Sequence, residues 1–234
     1  MILEVCGDSF EAALMASKYG AQRIELCCAL DKGGLTPSFG LIEQCASIEN
    51  LEVHVMIRHQ EGGFVYAEED IKIMESDILA AKVAGADGVV FGCLTKDHAI
   101  HVEQNQRLIS KAQNQELECT FHRAYDLVQN PEEALEEIIF LGFDRILTSG
   151  QAEKVDEGLE GLANALLWSN GRIEVMAGSG VNAANLSQLI DLGIAHLHFT
   201  IHQKEDQKAN FGMGNKKKLD EDKIRSIAQQ FNKA

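Results

Sequence analysis

The sequence lacks the features of a membrane protein and of a nucleic-acid-binding protein. No run of apolar residues is long enough to span a membrane, and residues 1–4 lack the basic and apolar regions that begin a signal peptide. Positive charge is scarce, because 21 Lys and Arg residues face 36 Asp and Glu residues and the net charge is -15. Nucleic-acid binding depends on cationic contacts to phosphates. We therefore expect a cytoplasmic protein that has neither a membrane nor a nucleic acid as its partner.

Several motifs of metal and covalent chemistry are also absent. The six cysteines form no CxxC motif, and a cytoplasmic setting favours free thiols over disulfides. No lysine lies in a predicted strand, which argues against a Schiff-base aldolase, and the chain has no HExxH motif or Asp-rich cluster. His196 and His198 are spaced as HxH, but His196 begins its strand and is expected to lie deep in the interior.

Short apolar runs alternate with amphipathic stretches along the whole chain. We predict strands over residues 2–6, 23–26, 53–57, 88–91, 119–122, 145–148, 174–176 and 197–200. We predict helices over residues 9–19, 38–46, 68–84, 103–114, 131–141, 155–168, 183–191 and 220–231. Glycines at 20, 85, 142 and 193 precede every second strand, as expected for helix C-termini in a repeated unit. The alternation predicts a (β/α)8 TIM barrel, in the α/β class, as a single domain over residues 1–234.

Polar or sulfur-bearing residues stand two apart at the C-terminal ends of several predicted strands. The pairs are Glu4 with Cys6, Glu25 with Cys27, Met56 with Arg58, and Thr120 with His122. Residues two apart in a strand point to the same face, so these side chains are expected to converge in the barrel interior. A packed interior excludes such groups unless they are paired or used. The pattern therefore predicts a site at the C-terminal rim of the barrel, to which His198 and Thr200 of the last strand are added.

Four of these rim positions are candidates for catalysis: Glu25, Arg58, His122 and Asp126. A carboxylate facing the barrel interior needs a cation or hydrogen-bond donors, and Arg58 and His122 are the expected partners of Glu25. Asp126 follows His122 closely and is placed to orient either His122 or Arg123. Two interpretations stay open, a structural layer of ion pairs inside the barrel and a general acid or base.

Glycine-rich turns follow the predicted strands 6 and 7. TIM barrels often bind phosphate through backbone N–H groups of the loops near strand 7, and a tight turn that needs positive φ is the other interpretation. The candidate anion-binding residues are Arg123, Ser149, Gly150, Gly178, Ser179 and Gly180. The polar segment 203–218, in the last loop of the barrel, is predicted to be the most mobile part of the chain.

The sulfur atoms indicate a different chemistry. Cys6 and Cys27 are expected at adjacent strand ends, with the thioether of Met56 one strand away. Two thiolates and a thioether form a soft ligand set that selects Cu(I) over harder metals. The alternative is that these residues only fill the barrel as small buried side chains.

Several segments resemble the CutC copper homeostasis protein family over residues 2–198. The matching segments are Leu3-Glu4-Val5-Cys6, Gly20-Ala21-Gln22-Arg23-Ile24-Glu25-Leu26-Cys27, Gly33-Gly34-Leu35-Thr36-Pro37-Ser38, Met56-Ile57-Arg58, Thr120-Phe121-His122-Arg123-Ala124-Tyr125-Asp126 and Leu147-Thr148-Ser149-Gly150. The resemblance implies a TIM barrel, a cytoplasmic location and a role in copper handling. Cys6 and Cys27 stand where that family carries the cysteines proposed to bind Cu(I).

The chain departs from the family pattern in two rim loops. The family usually has Arg-Pro-Arg-Gly-Gly after strand 3, where this chain has Arg58-His59-Gln60-Glu61-Gly62-Gly63, and residues 199–202 replace a serine-rich segment. These changes concern the ligand rather than the fold. The first hypothesis is therefore a Cu(I)-binding protein of copper homeostasis, and the rival is an acid–base enzyme that acts on a small metabolite, either phosphorylated or not. The expected partners are a copper ion or a small-molecule ligand, with a homo-oligomer as a further option.

Overall fold

The fold is a closed barrel of eight parallel strands, each connected to the next through helical segments. The structure is a computed structural model that describes residues 1–203 and 218–232. The strands are β1 Ile2–Gly7, β2 Arg23–Leu26, β3 Glu52–Met56, β4 Gly88–Phe91, β5 Glu118–Phe121, β6 Arg145–Thr148, β7 Glu174–Ala177 and β8 His196–Thr200. The helices are α1 Phe10–Lys18, α2 Phe39–Ala46, α3 Glu68–Val83, α4 Val102–Gln113, α5 Pro131–Leu141, α6 Leu159–Ser169, α7 Leu186–Asp191 and α8 Glu221–Phe231. The predicted (β/α)8 barrel is confirmed.

The ends of the helices follow from local chemistry that is visible in the sequence. Ser9 caps α1 by accepting a hydrogen bond from the Ala12 amide, and α5 begins with Pro131. The four glycines that precede β2, β4, β6 and β8 all have positive φ, between 77° at Gly20 and 103° at Gly193. A left-handed residue after a helix ends it and turns the chain toward the next strand, and glycine adopts this conformation without strain.

Two short 3₁₀ helices were not predicted, and both lie near the rim. The first spans Leu30–Lys32 after β2, and the second spans Arg123–Leu127 after β5. Their lengths of 3 and 5 residues leave no periodic signal in the sequence. The prediction of mobility for 203–218 falls mainly on residues 204–217, which lie outside the described residues. Among the described helices, each is too short or too polar to cross a lipid bilayer.

The barrel has an apolar outer layer and a polar interior. Leu3 and Val5 of β1 pack in the main hydrophobic core between strands and helices, whereas Glu4 and Cys6 alternate with them and point to the axis. The interior charges pair with one another near the N-terminal end of the barrel. Nη1 of Arg23 lies 3.6 Å from Oε2 of Glu4. A second buried arginine, Arg145, donates from Nη1 to Oγ1 of Thr120 at 3.1 Å.

Gly88 in β4 makes room for His54, a buried imidazole of this layer. A Cβ atom at Gly88 would lie 2.5 Å from Cε1 of His54, so only glycine lets the imidazole pack flat against β4. Burial, together with the charge of Arg23, holds the pKa of His54 well below its ordinary value. The lower half of the barrel is thus a structural layer of paired charges around a neutral imidazole, and the rim above it carries the sulfur atoms.

Candidate functional site

Two buried thiols and a carboxyl group meet at the ends of β1 and β2. One ligand atom from each of Cys6, Glu25 and Cys27 lies within 4.8 Å of the other two. Met56 packs against the same two cysteines, and both thiols are free rather than joined in a disulfide. We call Cys6, Glu25, Cys27 and Met56 the thiol cluster. The parallel register, which pairs Cys6 with Glu25, brings these residues to one level of the barrel.

His198 connects the thiol cluster to the charged layer below it. β8 pairs with β1 so that Glu4 and His198 are partners, and Nδ1 of His198 lies 2.7 Å from Oε1 of Glu4. Nε2 of the same ring lies 3.7 Å from Oε2 of Glu25. Burial lowers the pKa of His198, but the charge of Glu25 and hydrogen bonds with Cys6 and Glu4 raise it well above its ordinary value. His198 therefore lies buried between two carboxyl groups, in surroundings that favour its charged form.

The acidic groups around His198 differ in how easily they ionise. Burial raises the pKa of Glu4, but the hydrogen bond and charge of His198 outweigh it and lower that pKa to about 2. Burial and the charge of Cys6 raise the pKa of Glu25 well above its ordinary value. The hydrogen bond between the two thiols lowers the pKa of Cys6 and raises that of Cys27. These surroundings favour ionisation of Cys6 over that of Cys27 and Glu25.

A cavity of about 890 Å³ opens above the thiol cluster at the C-terminal rim. Its wall includes Cys6, Glu25, Arg58, His122 and His198, so the structure brings these five residues, all noted in the sequence, around one space. Apolar side chains that the sequence did not single out complete the wall. They are Leu30, Phe64 and Leu147. Glu4 lies below the cavity and reaches it only through His198.

Arg58 does not pair with Glu25, which corrects the expected pairing. Its guanidinium donates to the carbonyl oxygens of Lys32 at 2.9 Å, Gly34 at 3.0 Å and Gly62 at 2.7 Å. The reason is that Arg58 lies two residues beyond β3, where the chain has turned into the loop and the strand alternation no longer sets its direction. The partners of Glu25 are instead Cys27, whose thiol donates at 3.6 Å, and His198.

His122 caps the second 3₁₀ helix and presents its other nitrogen without a partner. Its Nδ1 accepts a hydrogen bond from the Ala124 amide at 3.3 Å, which places the proton of the neutral ring on Nε2. Burial and the positive charge of Arg58 lower the pKa of His122 to about 3. The ring packs against Phe64 at an interplanar angle of 56°, with centroids 4.5 Å apart. His122 is therefore a neutral hydrogen-bond donor in the cavity wall.

Asp126 orients Arg123 rather than His122, so one of the two expected arrangements is found. Its carboxylate accepts from Nε of Arg123 at 2.7 Å, from Oγ1 of Thr148 at 2.5 Å and from the amide of Ser149 at 3.1 Å. Nη2 of Arg123 donates to Oγ of Ser149 at 2.8 Å. The carboxylate of Asp126 thus accepts hydrogen bonds from backbone N–H groups after β6, where the sequence predicted the binding of an external anion. The Gly150 amide is likewise held by Thr148 Oγ1, at 2.9 Å.

The glycine-rich turn after β7 lies away from the cavity wall. The Gly178 amide donates to the carbonyl oxygen of Thr148 at 2.9 Å, and Oγ of Ser179 donates to that of Glu153 at 2.7 Å. Gly180 accepts from two asparagine side chains through its carbonyl oxygen. Within the described chain, none of these three turn residues lines the cavity. Ser179 and Gly180 have φ of 76° and 86°, as a tight turn requires.

Two features of the site were missed by sequence reasoning. The pairing of Glu4 with His198 depends on the contact between the first and last strands, and the common in-strand phase of the two residues is the signal that could have found it. Lys223, in the first turn of α8, lines the cavity and donates to the carbonyl oxygen of Thr200 at 2.6 Å. No motif surrounds Lys223 in the sequence, so its position follows only from the docking of α8.

Comparison with known proteins gives matches over most of the chain. The CutC family model matches residues 1–203. A protein of Vibrio campbellii named family protein CutC is 47% identical over 189 residues, which are 81% of this chain and 76% of that protein. A protein of the same name from Glaesserella parasuis is 43% identical over 201 residues, which are 86% of this chain and 82% of that one.

Solved structures agree with the fold. A CutC protein of Streptococcus agalactiae, whose name refers to copper homeostasis, is 32% identical, with a TM-score of 0.80 over 85% of this chain and 98% of that one. A thiamine phosphate pyrophosphorylase from Pyrococcus furiosus has a TM-score of 0.63 at 14% identity, over 99% of this chain and 96% of that one. Likeness at that identity shows the shared barrel alone.

Proposed function

The chain belongs to the CutC family, and from this premise we propose that it binds Cu(I) through Cys6 and Cys27 and takes part in copper homeostasis in the cytoplasm. The observation that carries the proposal is the pair of free, buried thiols that lie within 4.8 Å of each other. Cu(I) prefers thiolate and thioether ligands. The support from outside the chain is the name of the related protein from Streptococcus agalactiae.

The surroundings of the two thiols suit a soft monovalent ion. Two thiolates and one Cu(I) would carry a net charge of -1, and the positive charge of His198 beside Cys6 would offset it. The thioether of Met56 packs against both cysteines and offers a third soft ligand. Glu25 is a harder ligand and stays neutral when it is protonated, so it does not compete with the thiolates.

Anaerobic titration of the reduced protein against a competing Cu(I) chelator tests the proposal. The wild type should take up one Cu(I) per chain, and the double variant Cys6→Ser, Cys27→Ser should lose this uptake. Cys119→Ser is the matched control, because Cys119 is also a buried cysteine of the barrel, and the only described hydrogen bond of its thiol is to the Leu117 carbonyl oxygen. Met56→Leu, which keeps the volume and removes the thioether, should weaken binding by a smaller factor than the double variant. Equal uptake by the double variant and the wild type would refute the site.

The rival function is an enzyme that acts on a small metabolite, either phosphorylated or not, by general acid–base catalysis. The cavity favours it, because a space of about 890 Å³ is the size of a small-molecule pocket and far exceeds one ion. In this function Glu25 and His122 are the acid and base, and Arg58 holds the loops that form the wall. The anion contact in this function is Arg123, which lines the cavity and is positioned by Asp126. The amides of Ser149 and Gly150 are bound within the chain, and Gly178, Ser179 and Gly180 lie off the cavity wall.

A further inference from the structure

Three buried polar atoms on residues that line the cavity lack any hydrogen-bond partner among the described residues. They are Oε1 of Glu25, Nε of Arg58 and Nε2 of His122. The three residues are at most 5% exposed. More than about nine in ten buried polar groups in folded proteins are paired. Three unpaired groups on residues that line one cavity therefore point to a ligand that completes them.

The His122 end of the cavity requires a ligand that accepts hydrogen bonds. Nδ1 of His122 is already an acceptor for the Ala124 amide, so Nε2 carries a proton and donates. Arg58 adds a positive charge next to it, since its guanidinium contacts backbone carbonyls and the Phe64 ring, and no ion pair is found for it in the described part of the chain. An uncompensated buried cation beside a donor selects a negatively charged oxygen.

The Glu25 end requires a group of a different kind. Oε2 of Glu25 is engaged by Cys27 and His198, which leaves Oε1 for the ligand. A hydroxyl group both donates and accepts, so it complements a carboxyl oxygen whether or not Glu25 carries a proton. Between the two ends, the wall is formed by the apolar side chains of Leu30, Met56 and Phe64.

The anion is a carboxylate rather than a phosphate. The backbone N–H groups after β6, which would hold a phosphate, are used by Asp126 and by Oγ1 of Thr148. The turn of Gly178 and Ser179 lies off the cavity wall. Two other cationic residues line the cavity, but Arg123 is paired with Asp126 and Lys223 donates to the carbonyl oxygen of Thr200. The donors left, Nε2 of His122 and the guanidinium of Arg58, match a single negative charge better than a double one.

We infer that the cavity binds a small hydroxycarboxylate, with its carboxylate at Arg58 and His122 and a hydroxyl group at Glu25. This inference names the ligand class for the cavity of the rival function and is independent of Cu(I). It differs from that function in the anion, because it places a carboxylate where a phosphorylated metabolite would carry its phosphate.

The test is calorimetric titration of the metal-free, reduced protein with hydroxycarboxylates of two sizes, malate and gluconate. Sorbitol lacks the carboxylate, hexanoate lacks the hydroxyls, and glucose 6-phosphate carries a phosphate in place of the carboxylate. At least one hydroxycarboxylate should bind more than about 10-fold tighter than each of the three comparison compounds, as expected for charge-assisted hydrogen bonds. Binding by neither hydroxycarboxylate, or tighter binding of glucose 6-phosphate, would overturn the inference.

The variant His122→Asn separates the ligand contact from folding. The asparagine oxygen can replace Nδ1 as the acceptor for the Ala124 amide, whereas the Nε2 donor is lost. His101→Asn is the matched control, because His101 also caps a helix through Nδ1, here toward the Gln104 amide, but does not line the cavity. His122→Asn should weaken hydroxycarboxylate binding by about 10-fold and His101→Asn should not. Unchanged binding in His122→Asn, with an unchanged melting temperature, would contradict the assignment.

A second pair of variants distinguishes this proposal from the copper proposal. Glu25→Leu should abolish the preference for malate or gluconate over hexanoate, because it removes the partner of the hydroxyl. Cys6→Ser with Cys27→Ser should lose Cu(I) and keep the hydroxycarboxylate. Retention of the full preference in a folded Glu25→Leu protein would refute the role of Glu25, whatever the copper titration shows.

Discussion

The neutral state of His122 predicts how the stability of the protein depends on pH. Burial and the charge of Arg58 lower the pKa of His122 from 6.5 to about 3 in the folded protein. In the unfolded chain the ring titrates near its ordinary value, so the unfolded state binds more protons than the folded state below pH 6.5. The contribution to stability is therefore fully present above pH 6.5 and is lost as the pH falls toward 3.

The size of the loss follows from the difference between the two pKa values. At pH 5 the unfolded state gains the free energy of protonation over about 1.5 pH units, which is about 2 kcal/mol at about 1.36 kcal/mol per unit. The folded state gains almost nothing at this pH, because its pKa of about 3 lies well below 5. A loss of this size is a large part of the about 5–15 kcal/mol that stabilises a typical domain.

Urea unfolding of the wild type and of His122→Asn at pH 8 and pH 5 measures this loss. The comparison at pH 8 gives the cost of the substitution itself, since both residues are neutral there. From pH 8 to pH 5 the wild type should lose about 2 kcal/mol more than the variant. His54, whose pKa is also lowered by burial, adds the same slope to both proteins and cancels in the difference. A difference below about 0.5 kcal/mol would show that His122 is not neutral and buried in the folded state.

Two further predictions concern the loop after β6. Gly158→Ala should prevent folding or cost more than about 4 kcal/mol, because the added Cβ would lie 1.8 Å from the carbonyl oxygen of Ser149. The control is Gly171→Ala, where φ is 71° and no atom lies within 4 Å, and it should lower the free energy of unfolding by only about 1 kcal/mol. Thermal unfolding of both variants measures the two losses, and equal losses would contradict the close approach at Gly158. Asp126→Ala should lower the free energy of unfolding in urea by about 3 kcal/mol, since it leaves the amides of Ser149 and Gln151 without their acceptor, while Arg123 keeps Oγ of Ser149. A loss below about 1 kcal/mol would show that this carboxylate does not hold the loop.

The architecture of the barrel could be read from the sequence because its signals are local. The strand and helix periods, the glycines after four helices, and the start of α5 at Pro131 depend on neighbouring residues only. The inward direction of Glu25 and Cys6 follows in the same way from alternation inside a strand. A strand has two faces, and its side chains alternate between them. The face that carries apolar residues such as Leu3 and Val5 packs in the main hydrophobic core, so the other face points into the barrel.

Strand alternation no longer fixes the direction of a side chain once the strand has ended, and there only the tertiary structure determined the contacts. Arg58 and His122 both lie just beyond a strand, and their partners, the carbonyl of Gly34 and the amide of Ala124, belong to turns with no periodic signal. The same holds for Asp126, which a short 3₁₀ helix turns toward β6.

Closure of the barrel decided the rest of the site. β1 and β8 lie at opposite ends of the sequence, so the pairing of Glu4 with His198 spans 194 residues and has no local signature. That pairing places His198 beside Cys6 and near Oε2 of Glu25, and Oε1 of Glu25 has no partner among the described residues. The sequence alone determined which chemical groups point into the barrel, because strand alternation is a property of the backbone. Which of these groups remain available to a ligand was determined by the closed barrel, because hydrogen-bond partners are chosen by distance in space.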